Sequence, residues 1–245
     1  MNIERIEIAS VPVDCVDMAT AIAVVDRMIV ENRKGTVFGV NPEKVMRARE
    51  DLTLLSSLRH AALLIPDGIG VVFAARLLAS QHIERVTGAD LMPALCELAA
   101  KKEYGVFMFG AAPEVNERAA TLLMSKFPGL NIVGYQHGYL EDSDMPDLVA
   151  RINSSAADIL FVALGSPKQE LWMERYLPDL NVKVCQGVGG TFDVIAGRAK
   201  RAPLIFQRNH LEWFYRLLQQ PTRIVRQLNL LRFAILVFKS KLVGN

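Results

Sequence analysis

Six short apolar runs rich in β-branched residues, each set apart from the next by a longer stretch of helical character, constrain this chain more than any other feature. They are Thr36–Val40, Ala62–Ile65, Val106–Phe109, Asn131–Tyr135, Ile159–Ala163 and Val182–Gln186. A run that is apolar on both alternating sets of positions predicts a strand covered on both faces. The intervening segments Met18–Asn32, Glu43–Arg59, Gly68–Ser80, Asp90–Lys102, Glu114–Phe127, Met145–Ser154 and Lys168–Tyr176 read as helices. Strands alternating with helices predict an α/β fold, a Rossmann-like parallel sheet of about six strands with helices on both faces. Pro203 and Pro221 divide the remainder into two more expected helices, Leu204–Gln219 and Thr222–Lys241.

Five strands run into Gly- or Pro-containing turns that start helices: GVNPEK, IPDGIG, FGAAPE, ALGSPKQ and GVGGTFD. In an open parallel sheet the loops at the strands' carboxyl ends line the ligand crevice. The candidate binding residues are therefore Asn41, Arg85, Gly110, Lys168, Gln169, Gly189, Gly190 and Asp193. Asp67 is the most informative carboxylate. It ends the buried run LLIPDGIGVV, where an unpaired charge is costly. It is either a helix N-cap or a general base at the edge of the sheet. Gln169 both donates and accepts hydrogen bonds, which suits sugar hydroxyls; ordinary helix-start polarity is the alternative.

Several chemistries lack their signatures. GVGGTF has Phe192 where a dinucleotide fingerprint needs its third glycine, and no phosphate-loop sequence occurs. Gly189 and Gly190 still allow backbone amides to approach a diphosphate, or else serve close strand–helix packing. Asp142-Ser143-Asp144 has the spacing of a metal-holding acidic pair, but its acidic loop fits a helix cap better. His60, His82, His137 and His210 form no catalytic spacing, and no G-x-S-x-G elbow is present. No metal and no cofactor are expected.

Composition bounds the rest. With 51% hydrophobic and 22% charged residues, the chain is no disordered polypeptide. Cys15, Cys96 and Cys185 lie more than eighty residues apart and in no CxxC or Cys/His cluster, which argues against a disulfide scaffold or a structural zinc site. Residues 1–10 lack the apolar core of a signal peptide, so a reduced, cytoplasmic protein is expected.

The net charge of +2 hides an asymmetry. From Arg198 onward there are ten Lys or Arg and one acid, Glu212, whereas residues 1–197 carry 18 basic and 25 acidic side chains. The division suggests a catalytic unit over 1–197 and a basic helical appendage over 198–245. A basic tail calls for an anionic partner. Ile224, Leu228, Leu231, Ile235, Phe238 and Leu242 fall on one helical stripe, too interrupted for a transmembrane span. Two readings are open: a helix lying in a membrane interface, or one whose stripe packs on the protein's own core. An exposed stripe also fits a contact in a homo-oligomer.

In order, these segments resemble the WecG/TagA/CpsF family of bacterial glycosyltransferases, from about Ile6 to Leu242. The resemblance is carried by VNPEKV (40–45), PDGIGVV (66–72), ERVTGADL (84–91), FMFGAAPEV (107–115), ALGSPKQE (163–170), GVGGTFDVIAGRAKRAP (187–203) and LEWFYRLLQQPTRIVRQ (211–227). It implies a metal-independent, inverting transferase of the GT-E fold type. Such an enzyme moves an N-acetylmannosamine-type sugar from UDP to undecaprenyl-diphosphate-linked N-acetylglucosamine, for teichoic acid, common antigen or capsule. It implies a base at Asp67, pocket residues at Asn41, Arg85 and Gln169, and leaving-group arginines at Arg216, Arg223 and Arg226. It also implies peripheral attachment of the basic tail to the inner face of the plasma membrane.

One departure stands out. Gly39-Val40 precedes Asn41 where many members carry Thr-Pro, so a different donor such as UDP-glucose is an alternative. Two other function classes remain. One is a nucleotide-binding oxidoreductase, which the missing fingerprint disfavours. The other is a non-enzymatic membrane- or nucleic-acid-binding module, disfavoured by polar loop residues far from the tail. Nucleic acid is not an expected partner.

Overall fold

The computed structural model describes residues 3–203, 205–206, 212–219 and 224–243, with backbone alone for 216–219, 224–228 and 243. Its centre is a six-stranded, all-parallel sheet built from β3 (Gly35–Val40), β4 (Leu63–Pro66), β5 (Gly105–Gly110), β6 (Asn131–Gln136), β7 (Ile159–Ala163) and β8 (Val184–Gly187), in the order β4-β3-β8-β7-β5-β6. Every strand predicted from an apolar run is present. β3, β4, β5, β7 and β8 are buried at every position, whereas β6, at the edge, is only partly buried.

Side chains alternate between two cores, as a pleated strand requires. Val37, Leu63, Met108 and Phe161 face α1 (Met18–Val30), α5 (Gly88–Lys102), α6 (Pro113–Lys126) and α9 (Thr191–Ile195). Phe38, Leu64, Phe109 and Val162 face the opposite layer. That layer contains α2 (Pro42–Glu50), α3 (Leu52–His60), α4 (Ile69–Ala79), α7 (Met145–Ser154) and α8 (Lys168–Tyr176).

Two features differ from the sequence expectation. The single helix expected over Glu43–Arg59 is two helices, because Asp51 leaves helical geometry (φ −122°, ψ 98°) and its carboxylate caps Thr53 and Leu54 N–H. An antiparallel hairpin of β1 (Arg5–Ile8) and β2 (Val11–Asp14) precedes α1. Its turn residues Ala9 and Ser10 both have positive φ, the geometry that matches strand twist. The hairpin is fastened to the sheet by Asp14, which is buried, pairs with Arg5 and accepts Leu64 N–H at 2.7 Å.

Two tail helices are described, α10 (Glu212–Gln219) and α11 (Ile224–Val243); residues 207–211 and 220–223 lie outside the description. The long one packs on α2 and α4 through Phe233 and Val237, which are 3% and 4% exposed. Of the predicted stripe, the side chains of Ile224 and Leu228 lie outside the described residues, and the other four are not on the face that packs. Leu231, Ile235, Phe238 and Leu242 are 64%, 56%, 57% and 79% exposed. Of the two open readings, packing on the protein's own core holds for this helix, but through its other apolar row, Phe233 and Val237.

Candidate active site

The carboxyl ends of the parallel strands meet along one edge, and the predicted loop residues gather there. Chain order makes this edge a crevice. β3 lies next to β8, so the first and last loops of the sheet become neighbours.

After β3, Asn41 caps α2, its Oδ1 accepting Lys44 N–H at 2.8 Å. After β4, Asp67 donates its backbone N–H to Val40 O (2.9 Å), and Val86 N–H closes on Pro66 O (3.1 Å). The loops bearing Asn41, Asp67 and Arg85 are thus stitched together. The Asp67 carboxylate lies over Gly39, where a Cβ would come within 2.7 Å of Oδ2, and it faces the first amide of α5, Gly88 N–H, at 3.4 Å. Asp67 follows β4 directly, is half-buried, and does not cap α4, whose N-cap is Gly68 without a side-chain cap. The N-cap alternative for Asp67 is therefore not what the fold uses. The absence of a side chain at Gly39 is what lets the carboxylate occupy its place.

On the other side of the crevice, Gln169 is buried, accepts Gly189 N–H at Oε1 (3.0 Å) and donates from Nε2 to Glu170 Oε1 (3.1 Å). The same Glu170 oxygen receives Lys44 Nζ at 2.6 Å. A chain of polar contacts therefore runs from α2 through α8 to the glycine loop after β8. Gly187 has no Cβ where one would meet Gln169 Nε2 at 2.7 Å, which lets the amide cross the strand end.

The remaining candidates are placed as follows. Arg85, expected in the pocket, forms an ion pair with Glu212 of α10 (2.8 Å). Gly110 has φ +119° and packs against Ala163, and its carbonyl accepts Asn116 Nδ2 at 2.8 Å. Gly190 lies beside Asp193 at the start of α9, and Lys168 is exposed at the start of α8. Arg223 lies outside the described residues, and the side chains of Arg216 and Arg226 are likewise not described. The acidic triplet forms a short turn in which Asp144 accepts Glu141 N–H. Among the described residues, no three His, Cys, Asp or Glu side chains are grouped to hold a metal ion.

A half-buried carboxylate at a sheet edge, opposite a glycine loop, can take a proton from an incoming hydroxyl while nearby donors steady a phosphate. Residues 6–245 match the family model described as glycosyl transferase WecG/TagA/CpsF family. The chain belongs to this family. It is a glycosyltransferase of cell-surface polysaccharide synthesis, acting on a sugar donor and an acceptor.

Sequence reasoning missed Lys44, Glu170, Gln186, Asp90 and Arg201. Gln186, buried on β8, donates to Gly88 O at 3.4 Å, and so holds the residue whose amide faces Asp67. A glutamine inside an apolar strand run was a visible signal for it. Lys44 and Glu170 are each unremarkable helix-start residues, and only the fold reveals that they are partners.

Proposed function

We propose that this protein is an inverting, UDP-sugar-dependent hexosyltransferase with Asp67 as its base. The acceptor hydroxyl gives its proton to the Asp67 carboxylate as its oxygen bonds to the anomeric carbon. The bond from that carbon to the diphosphate oxygen breaks, and UDP leaves with the electron pair. The glycine loop at Gly189–Gly190 and the arginines Arg216, Arg223 and Arg226 steady the departing charge, with Asn41, Arg85, Lys168 and Gln169 around the donor. The donor is an N-acetylmannosamine-type UDP-sugar and the acceptor a polyprenyl-diphosphate-linked N-acetylglucosamine. In this reading 1–197 is the catalytic unit and 198–245 completes the site.

The observation that supports the reading is the placement of Asp67, with its carboxylate over the bare Gly39 and against the first amide of α5. A peripheral membrane setting is supported by the outward row Leu231, Ile235, Phe238 and Leu242. Ile235 of this row also lines a groove between α2 and α11, where Arg49, Arg232 and Lys239 outnumber one acid, Glu50. Apolar side chains flanked by cations suit an anionic lipid surface. No described helix is long and apolar enough to cross a membrane.

The test is product formation from a panel of UDP-sugars, UDP-glucose included, with a short-chain prenyl-diphosphate-N-acetylglucosamine acceptor and chelator present. Asp67→Asn should lower turnover about 10²–10⁴-fold while UDP binding persists. A fully active variant would show that another group takes the proton.

A further inference from the structure

The tail holds one acid after Arg198, and the fold places it between two guanidiniums. Glu212, the first residue of α10, receives Arg85 Nη1 on Oε2 at 2.8 Å, and its Oε1 lies 3.7 Å from Arg201 Nε. The Glu212 side chain is only 12% exposed, and that of Arg85 17%. Arg201 Nε is buried with no hydrogen-bond partner, so its charge is answered across that 3.7 Å gap by Glu212. The other arm of Arg201 reaches Asp90 Oδ1 at 2.5 Å, and Asp90 Oδ2 accepts from Thr87 Oγ1, the N-cap of α5. One turn of loop and helix therefore connects the tail's acid to Gly88, the residue whose amide faces Asp67.

Losing this carboxylate is costly chiefly at Arg85, which is largely buried and left without its partner, whereas Arg201 is a third exposed and keeps Asp90. An exposed pair would contribute little and would orient nothing.

We propose that Glu212 is the latch that docks α10 at the mouth of the active site. It is a positioning residue that acts through Arg85 and Arg201 and fixes where α10, with Arg216 one turn further on, begins. The inference rests on the reading above in which the tail completes the site. It adds the contact that brings the tail there, and it gives Arg201 and Asp90 a place in the machinery. The contrary role for the same geometry is a plug, with Glu212 occupying Arg85 until an anionic donor displaces it.

The experiment uses the full chain with Glu212→Gln and Glu212→Asp. Two readouts are followed: hydrogen exchange across 212–219, and steady-state kinetics with the active donor and acceptor. Exchange in β3 and β7 reports whether the sheet is intact. As a latch, Glu212→Gln speeds exchange across 212–219 and lowers kcat at least about tenfold, the scale for removing one member of a buried charge pair. Glu212→Asp, which keeps the charge, restores most of both.

Unchanged exchange in Glu212→Gln overturns the latch. A higher kcat or a lower donor KM overturns it in favour of the plug. Faster exchange with unchanged turnover upholds the latch and instead overturns the tail's part in the proposed function.

Discussion

Lys44 Nζ lies 2.6 Å from Glu170 Oε1, and the two side chains are 6% and 0% exposed. The pair joins the helix that Asn41 caps to the helix that begins the Gln169 segment, and it shares its acceptor oxygen with Gln169 Nε2. Its arrangement makes stability and activity separable. Lys44→Met leaves the buried Glu170 charge without a cation, with only the Gln169 amide donating to it, and should cost about 3–5 kcal/mol in urea unfolding. Lys44→Met/Glu170→Leu should recover most of that stability, because a buried ion pair can be replaced by packed apolar groups. Turnover should stay low in the double variant, since Gln169 loses the acceptor that holds it beneath Gly189. Wild-type turnover there would remove the pair from the site's support.

Gly39 carries a second prediction. A methyl group placed there would meet Asp67 Oδ2 at 2.7 Å and Asp67 Cβ at 2.8 Å, and because that Cβ is fixed to the strand end, turning the carboxylate does not relieve the clash. Gly39→Ala should therefore displace the Asp67 segment itself, reducing kcat by roughly 10–100-fold, part of the 10²–10⁴ available to a general base, and lowering the melting temperature as well. The comparison to make is kcat against donor KM. A loss confined to KM would mean that the strand end contacts sugar without steering the base.

The two apolar rows of α11 should respond in opposite ways. Phe233→Ala removes a core side chain and should cost about 3–5 kcal/mol of stability. Leu231→Ser/Ile235→Ser/Phe238→Ser alters exposed positions and should shift stability by no more than about 0.5 kcal/mol per site. The same triple variant should lose co-sedimentation with vesicles containing anionic lipid. Undiminished sedimentation would exclude the outward row as the membrane contact.

A fourth prediction concerns alkaline stability. Burial, and then the hydrogen bond to the Asp26 carboxylate (2.8 Å), push the Tyr104 hydroxyl up to about 12 from its ordinary 10. A raised value means that the folded state holds the proton more tightly than the unfolded chain does. The resulting stabilisation is complete below about pH 10 and disappears as the pH rises through about 12. Tyr104→Phe should flatten the fall in stability over that window. Denaturant midpoints at pH 9 and pH 11.5 measure it: an equal fall in both proteins would take Tyr104 out of the alkaline transition.

How much of this could be read in advance follows from where information resides in a chain. Five of the six sheet strands were legible because burial on both faces turns each into an apolar run, as β5 and β7 show plainly; the edge strand β6, only partly buried, kept its apolar Ile132-Val133 centre. The hairpin was not legible. Each of its strands has four residues, and its turn is Ala9-Ser10 rather than the Asn-Gly that announces such a turn. The break at Asp51 was available as a capping residue just before Leu52-Thr53, but the helical period runs across it.

At the site, Asp67 and the glycine loop were legible because strand ends mark the edge of the sheet. Lys44 and Glu170 are 126 positions apart, and Arg85 and Glu212 are 127 apart. A local pattern carries no trace of such partnerships.

The short helix α2 has the catalytic edge at one end and the surface helix along its flank. Nine residues make a rod of about 14 Å, with Asn41 at its tip and Phe233 and Val237 seated nearby on its layer. A force applied to the outward-facing side of α11 is borne by the same strut that ends at Asn41. In the proposed function, contact of α11 with a boundary outside the protein and alignment of the reacting groups near Asn41 are thus mechanically one helix apart.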